Sequence, residues 1–339
     1  MGNVEYDPFA PGPHAVGVRT LDITDPPRSR VFACEVWYPA DTAGPADAVP
    51  GGEHRDAPAP AGTHPLVVYS HHSVGSSRAA TFLTRHLASH GYVVAAPDHS
   101  GVTPPVEGEE TPDAHRARVD AIVAARVPDV RTVLDRMLAG AARVDLDPEH
   151  VGLVGHSFGG WTVLAAPDVE PRVRAVVAHS PGGSKNPRPG ILPLDLDFAW
   201  GHEVPTLYLA AEDDVSIPPE QVRDVFDRTP GPTRMITLRR ADHLHFIDNV
   251  ETSHEALRTM TLPGDAAWIP AAMRPIGELC TGAQAHLFVR GLTLAHLDAT
   301  LRSNEGARAL LAGGVVAELA ARGVEATAIV GAPDGGLSA

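Results

Sequence analysis

The segment 150–161 contains the arrangement of residues with the clearest chemical meaning. It places Ser157 between Gly155 and Gly159, directly after a short apolar run and directly before a helix-compatible one. A Gly-x-Ser-x-Gly turn between a strand and a helix strains the serine backbone, and glycine is needed where strand and helix nearly touch. Such a turn presents the serine hydroxyl as a nucleophile. We therefore expect Ser157 to attack an electrophilic carbon.

A serine hydroxyl is a weak nucleophile at neutral pH, so it needs a histidine base and a carboxylate that orients the histidine. Two downstream segments offer both groups. Asp213 and Asp214 follow one predicted strand, and His243 and His245 follow the last predicted strand. The order Ser, Asp, His along the chain fits Asp214 and His243, and it fits their neighbours Asp213 and His245 equally well. His245 lies two positions after His243 and would share its side of an extended loop.

Strand-like and helix-like segments alternate along the chain. The first two strands alternate in polarity around a Pro-Pro turn and predict an antiparallel hairpin. The later strands are each followed by a helical pattern, which predicts right-handed crossovers and a mostly parallel sheet covered by helices. Because parallel strands end at one edge of the sheet, we expect the nucleophile, acid and base to meet there. Strands are predicted at 15–22, 31–38, 66–69, 92–96, before Ser157, and at 173–178, 206–210 and 235–238.

Three segments lack a clear strand pattern. Residues 39–64 are rich in Pro, Ala, Gly and Asp and predict a surface excursion. Segment 99–127 is polar and proline-containing at its start and then helix-compatible, and segment 181–203 is long and proline-rich. Both segments are predicted to cover the site. The predicted organisation is a single domain at 1–303, a helical extension at 304–329 and a flexible tail at 330–339.

The composition excludes several classes of function. A net charge of −15 argues against a nucleic-acid partner or an anionic membrane surface. Lysine occurs only as Lys185, which leaves Schiff-base and Walker-type chemistry almost without a candidate residue. No apolar run approaches the roughly 20 residues of a membrane span, and no signal-peptide pattern is present, so the chain is predicted to be cytoplasmic. Cys34 and Cys280 predict buried free thiols, with a single bridge as the alternative.

The chain contains 18 histidines, which raises the question of a metal site. His71 and His72 are adjacent, and His243 and His245 alternate with Leu244. Such pairs, without a supporting cysteine or carboxylate spacing, do not predict a metal centre. We therefore predict neither a metal nor a cofactor.

These motifs together resemble the α/β-hydrolase superfamily. Within it, the chain is similar to platelet-activating-factor acetylhydrolases, dienelactone-hydrolase-like esterases and bacterial cutinase-like polyester hydrolases. The resemblance runs from about residue 14 to residue 303. The motifs that carry it are Trp37-Tyr38-Pro39, Tyr69 to Gly75, Pro97-Asp98-His99, Arg126 to Val130, Gly155 to Trp161, Ala210 to Pro218 and Ala241 to Phe246.

The resemblance implies the α/β-hydrolase fold: a mostly parallel central sheet with an antiparallel N-terminal hairpin and helices on both faces. It also implies hydrolysis of a small-molecule or lipid-like carboxylic ester through an acyl-enzyme. The family pattern favours Asp214 over Asp213 as the acid and His243 over His245 as the base. The ester could be a short-chain acyl or acetyl ester, a lipid or a polyester. Ser157 stands where dienelactone hydrolases have cysteine, which favours ordinary ester hydrolysis. The alternative is a catalytically inactive binding or scaffolding protein on the same fold.

The resemblance further implies an oxyanion hole made of two backbone amides. One belongs to Phe158, directly after the nucleophile, and the other to Ser73, in the loop after the first parallel strand. Relatives usually have His-Gly in that loop, whereas here His71 is followed by His72. The side chain of His72 would either narrow the acyl pocket or move the second donor from Ser73 to His72 or Val74. The predicted substrate-pocket residues are His72, Val74, Trp161 and His245.

Overall fold

An eleven-stranded sheet runs through the part of the chain that the structure, a computed structural model, describes: residues 6–41, 48–49, 52–103 and 110–331. Its strands are β1 (Ala15–Asp25), β2 (Arg30–Ala40), β3 (Ala48–Val49), β4 (Glu53–Arg55), β5 (His64–Ser70), β6 (Val93–Pro97), β7 (Leu146–His156), β8 (Val173–His179), β9 (Thr206–Ala211), β10 (Thr233–Leu238) and β11 (Ala326–Val330).

Helices connect most of the parallel strands. Within the described ranges none of them is long and apolar enough to cross a bilayer. They are α1 (Thr81–Ser89), α2 (Pro112–Leu138), α3 (Phe158–Ala165), α4 (Pro219–Arg228), α5 (Val250–Thr259), α6 (Ile269–Ala272), α7 (Gly282–Leu301), α8 (Glu305–Ala309) and α9 (Val315–Ala321), with a 3-10 turn at His243–Phe246 and a π turn at Leu310–Gly314.

The strand order is β11-β10-β9-β8-β7-β5-β6-β2-β1-β4-β3. Strands β6, β5, β7, β8, β9 and β10 are mutually parallel, and β1 and β2 form an antiparallel hairpin that joins this block through β6. The predicted hairpin and mostly parallel sheet are therefore confirmed. This is the architecture of an α/β-hydrolase fold.

Residues along the parallel strands alternate between two apolar cores. In β5, Val67 and Tyr69 pack on the face covered by α1 and α7, while Leu66 and Val68 pack on the face covered by α2, α3 and α4. Both faces are dry because alternate side chains of a strand point to opposite sides. The strands are thus packed on both faces up to the edge of the sheet where β5, β7, β9 and β10 end. Cys34 and Cys280 are both buried free thiols.

The carboxyl-terminal part of the chain differs from the prediction. Helices α8 and α9 lie within the predicted helical extension 304–329, but residues 326–330 form β11, which pairs antiparallel with β10. The sequence analysis placed the last strand at 235–238 and missed this one. The segment is short and follows a helix, so no crossover pattern pointed to it. Of the predicted tail 330–339, Val330 belongs to β11, and residues 332–339 lie outside the described residues.

The surface excursion predicted at 39–64 is more regular than expected, whereas the two other irregular segments match their predictions. In the predicted excursion 39–64, β4 pairs in parallel with β1, and its Glu53 is buried and accepts a hydrogen bond from the indole of Trp37 at 2.9 Å. Residues 42–47 and 50–51 lie outside the described residues. In the segment 99–127, α2 begins at Pro112, and 104–109 lie outside the described residues. Segment 181–203 contains neither helix nor strand, as predicted.

Candidate active site

Ser157 lies at the sharp turn between β7 and α3. Its backbone has φ 59° and ψ −116°, a conformation that costs a non-glycine residue roughly 1–3 kcal/mol. Gly155 and Gly159 make the turn possible. A Cβ on Gly155 would lie 2.2 Å from the carbonyl oxygen of Gly159, and a Cβ on Gly159 would lie 1.9 Å from that of Ser70. The turn therefore needs glycine at both positions, as the sequence pattern predicts.

Three side chains from three strand ends form a hydrogen-bonded line. The Nε2 atom of His243 lies 2.9 Å from the Oγ atom of Ser157, and its Nδ1 atom lies 2.7 Å from Oδ2 of Asp214. An ionised carboxylate can only accept, so the Nδ1–H of His243 donates to it and Nε2 is free to accept the serine proton. This is the tautomer that a general base next to a serine requires.

The structure brings Asp214, and not Asp213, to the histidine. The Asp214 side chain is completely buried, and its second oxygen accepts hydrogen bonds from the amides of Ser216 and Ile217 at 3.0 and 2.8 Å. Asp213 is instead ion-paired with Arg274 at 3.0 Å. The Asp214 carboxylate is therefore held from both sides. Its orientation toward His243 does not depend on solvent.

Burial and the neighbouring charge act in opposite directions on the pKa of His243. Burial alone would lower its pKa, but the charge of Asp214 and the hydrogen bond to it outweigh burial and raise the pKa above the usual 6.5. Two further imidazoles lie against the site. His156 and His243 have ring centroids 4.7 Å apart, and burial lowers the pKa of His156 well below its usual value. Burial likewise lowers the pKa of His72 to about 4. These neighbours are neutral at physiological pH and leave His243 as the titrating group.

The two loop segments predicted to supply backbone amides lie side by side. Phe158 is the first residue of α3, and its N–H has no partner within the helix because the first amides of any helix are unpaired. The close approach of Gly159 to Ser70 places the end of β5 against this first turn. The loop that carries Ser73 continues from Ser70. Ser73 is exposed and lines a small cavity of about 150 Å³ at that loop.

Comparisons with known proteins agree with the observed fold. A sequence profile of the chlorophyllase family matches residues 48–170, which include Ser157 but end before Asp214 and His243. In the solved structures, a ferulic acid esterase from Streptomyces cinnamoneus superimposes with a TM-score of 0.62 at 26% identity, covering 87% of this chain and 93% of that protein. The chain is an α/β-hydrolase.

Curated relatives that are similar to this α/β-hydrolase include a cutinase and a candidate carboxymethylenebutenolidase. The chain is 24% identical over 193 residues to the cutinase est2 of Thermobifida alba, a match that covers 56% of this chain and 55% of the cutinase. It is also 24% identical over 196 residues to a protein of Synechocystis sp. named as a candidate carboxymethylenebutenolidase, covering 56% and 79% of the two chains. The chain thus spans only about half the length of the cutinase. All these relatives carry the names of carboxylic ester hydrolases.

The residues predicted to line the substrate pocket lie in different surroundings. The ring of His72 is half-buried and packs against His156, with ring centroids 5.4 Å apart. Val74 is 90% exposed at the tip of its loop. Trp161 is buried one helical turn after Ser157, where it stacks on Phe158. Only His72 and Trp161 are therefore packed against residues of the elbow.

An apolar cavity of about 600 Å³ adjoins Trp161. It lies between the first half of α2 and segment 192–195, whose Asp195 carbonyl accepts a hydrogen bond from the indole of Trp161 at 2.6 Å. Val119, Val123 and Leu194 supply its apolar wall. The cavity is thus formed by the two segments that the sequence analysis expected to cover the site.

The structure corrects the prediction for His245. Its side chain is completely buried, with Nδ1 3.0 Å from Oδ1 of Asp242 and Nε2 3.1 Å from the carbonyl oxygen of Cys280. A side chain with both ring nitrogens engaged cannot line a substrate pocket. The alternation with His243 suggested a common side of an extended loop, but residues 243–246 form a 3-10 turn, which rotates the two side chains apart.

Sequence reasoning missed the carboxylate behind this turn. Asp242 is buried, and its second oxygen lies 2.7 Å from Nδ1 of His254 in α5. Its side chain also accepts the amide of Leu244 at 3.0 Å and so caps the turn that carries His243. These contacts hold the pKa of Asp242 far below its usual range and raise the pKa of His245 to about 10. In the sequence, the one sign of this buried carboxylate was an aspartate directly before the candidate base.

The pH dependence of activity should report His243. Only the neutral imidazole accepts the proton of Ser157, so kcat/KM should fall as the pH drops through a pKa that lies above 6.5. The measurement is ester hydrolysis from about pH 5 to about pH 9. A midpoint below 6.5 would contradict the dominant influence of Asp214 over burial.

Proposed function

We propose that this α/β-hydrolase cleaves carboxylic esters with Ser157 as nucleophile, His243 as general base and acid, and Asp214 as the orienting carboxylate. The observation that carries the proposal is the hydrogen-bonded line from Ser157 through His243 to Asp214, built on a strained serine. Structural outliers of this kind cluster at functional sites. The esterase names of the relatives support the same class of reaction.

In the acylation half, Oγ of Ser157 attacks the ester carbonyl carbon while its proton passes to Nε2 of His243. Asp214 stabilises the imidazolium that forms. The negative charge that develops on the carbonyl oxygen is bound by the amides of Phe158 and Ser73, our proposed oxyanion donors. His243 then returns the proton to the leaving oxygen. The alcohol departs, and the acyl group remains on Ser157.

In the deacylation half, a water molecule takes the place of the alcohol. His243 removes one proton from the water as its oxygen attacks the acyl carbon, and the same amides bind the second oxyanion. The proton passes to Oγ of Ser157 when the acyl bond breaks. The products are a carboxylic acid and the free enzyme, and no step requires a cofactor.

The proposed substrates are esters with a short acyl group and a larger apolar alcohol part. Two features support this division. The resemblance implies glycine at the loop position of His72, whose ring packs against His156, and we propose that this side chain narrows the acyl side. The apolar cavity of about 600 Å³ is lined by Trp161, which follows Ser157 by one helical turn, and its volume is within the range of small-molecule sites.

A fluorophosphonate probe tests the proposal directly. The full chain is incubated with the probe, and intact mass and peptide mapping locate the label. We expect one adduct on Ser157, because a phosphonate reacts with a serine only where a base and oxyanion donors activate it. A series of p-nitrophenyl esters from acetate to decanoate should show the highest kcat/KM for the shortest acyl chains.

Two outcomes would contradict the proposal. A chain that neither reacts with the probe nor hydrolyses any ester of the series would favour a binding protein on the same fold. A preference for the longest acyl chains would be compatible with the proposed triad but would refute the proposal that the acyl pocket is narrow.

A further inference from the structure

We propose that Arg126 is a positioning residue that orients both amides of the oxyanion hole. The inference rests on the function proposed above. Arg126 lies in the second half of α2 and is only 2% exposed. Its guanidinium reaches beneath the loop after β5, where it donates to the carbonyl oxygens of His71 at 2.8 Å and His72 at 3.4 Å.

The carboxylate closest to Arg126 along α2 is already engaged by other partners. Asp129 lies about one helical turn further along α2 and is completely buried. It is paired with Arg28 at 2.8 Å, with Arg30 at 2.8 Å and with His99 at 3.2 Å. A buried cation that lacks its own carboxylate is costly to keep unless other acceptors surround it. In this protein those acceptors are the carbonyls of the loop.

A second side chain fixes the same carbonyl group. The Nε2 atom of His71 accepts the backbone N–H of His99 at 3.2 Å, so its Nδ1 atom carries the proton and donates to the carbonyl oxygen of His72 at 2.6 Å. Burial lowers the pKa of His71 to about 2, which keeps this neutral tautomer. The carbonyl of His72 therefore receives hydrogen bonds from two neutral donors, His71 and the backbone N–H of Gly75 at 3.1 Å, and one from a cation.

The geometry of the peptide bond transmits these contacts to the oxyanion. The carbonyl of His72 and the N–H of Ser73 belong to one planar trans peptide unit, in which they point in opposite directions. Donors that fix the carbonyl on one side therefore fix the N–H on the other side. The positive charge of Arg126 also polarises the unit and strengthens the N–H as a donor.

The same guanidinium contacts the residue that carries the other amide. The central carbon of the Arg126 guanidinium lies 4.2 Å from the centre of the Phe158 ring, within cation–π distance. Phe158 follows Ser157 directly, so its ring and amide are held by one short segment. One buried side chain thus contacts both segments that carry the candidate oxyanion donors. These segments follow two different strands, β5 and β7.

Arg126→Lys and Arg126→Met test this role in the full-length chain. Removing one oxyanion donor typically costs about 10²- to 10³-fold in kcat, and displacing two donors should cost about 10- to 100-fold. KM should change less than about threefold, because the donors act mainly in the transition state. Affinity for a boronic acid, which mimics the tetrahedral intermediate, should fall by about the same factor as kcat. The number of active sites is counted by fluorophosphonate titration, so misfolded protein does not enter kcat.

Arg131→Met is the matched control, since Arg131 is an exposed arginine on the same helix whose nearest carboxylate, on Glu170, lies 3.8 Å away. It should leave kcat unchanged. Arg126 variants that melt at a lower temperature but keep kcat per titrated site would overturn the inference, as would a loss confined to KM. A wild-type chain that does not react with the fluorophosphonate would instead overturn the proposed function, and this inference with it.

Discussion

Replacing Ser157 with alanine should lower kcat/KM for p-nitrophenyl acetate by about 10³-fold or more. The substitution removes the only atom that lies within hydrogen-bond distance of Nε2 of His243 in the described part of the chain. It leaves the amides of Phe158 and Ser73 in place, so a small rate above that of water should remain. The measurement is initial-rate hydrolysis together with fluorophosphonate labelling, and the label should disappear.

Ser253→Ala provides the control, because Ser253 lies in α5 away from the elbow and is only partly buried. Its activity should equal that of the wild type. A Ser157→Ala protein that keeps more than about a tenth of the wild-type rate would refute Ser157 as the nucleophile. Alanine should also relieve no more than part of the backbone strain, because its φ must remain positive in the same turn.

Asp214→Asn should lower kcat by about 10³- to 10⁴-fold, whereas Asp213→Asn should change it less than about threefold. The two residues are adjacent in sequence but engage different partners, His243 at 2.7 Å and Arg274 at 3.0 Å. An asparagine amide cannot stabilise the imidazolium, and its NH₂ group can force the wrong tautomer on His243. Steady-state kinetics on the three proteins gives the comparison.

Thermal melting of both variants separates catalysis from folding. Asp214→Asn is isosteric and keeps an oxygen for the amides of Ser216 and Ile217. Most of its folded population should therefore persist at assay temperature. Equal losses in the two variants, or a larger loss in Asp213→Asn, would show that the carboxylate beside His243 is not the one that supports catalysis.

The sequence was most informative where local rules and the fold agree. The elbow glycines predict a turn that no other residue fits, and the contact distances at Gly155 and Gly159 give the physical reason. The parallel strands were predictable because their apolar runs are buried on both faces. The choice of Asp214 over Asp213 needed the structure, because neighbouring carboxylates differ only in the partners that the surrounding loops bring to them.

The elements that were missed depend on contacts far apart along the chain. Asp242 meets His254 through a helix that follows it, and Arg126 meets the His71 carbonyl across more than fifty residues. No periodicity records such contacts. For His245, the alternating pattern predicted an extended loop, but the side chain of Asp242 favours a 3-10 turn by capping its first amides. The capped turn thus leaves His243 facing the serine and directs His245 toward Asp242 and the Cys280 carbonyl.

The pairing of β11 with β10 has a consequence for how the chain is made. During synthesis β10 leaves the ribosome well before residues 326–330, and until they arrive its outer edge carries unpaired N–H and C=O groups. That edge belongs to the strand that leads directly into His243. A nascent chain therefore exposes an aggregation-prone border beside its base until almost the whole described sequence has been translated, and the arrival of β11 closes it.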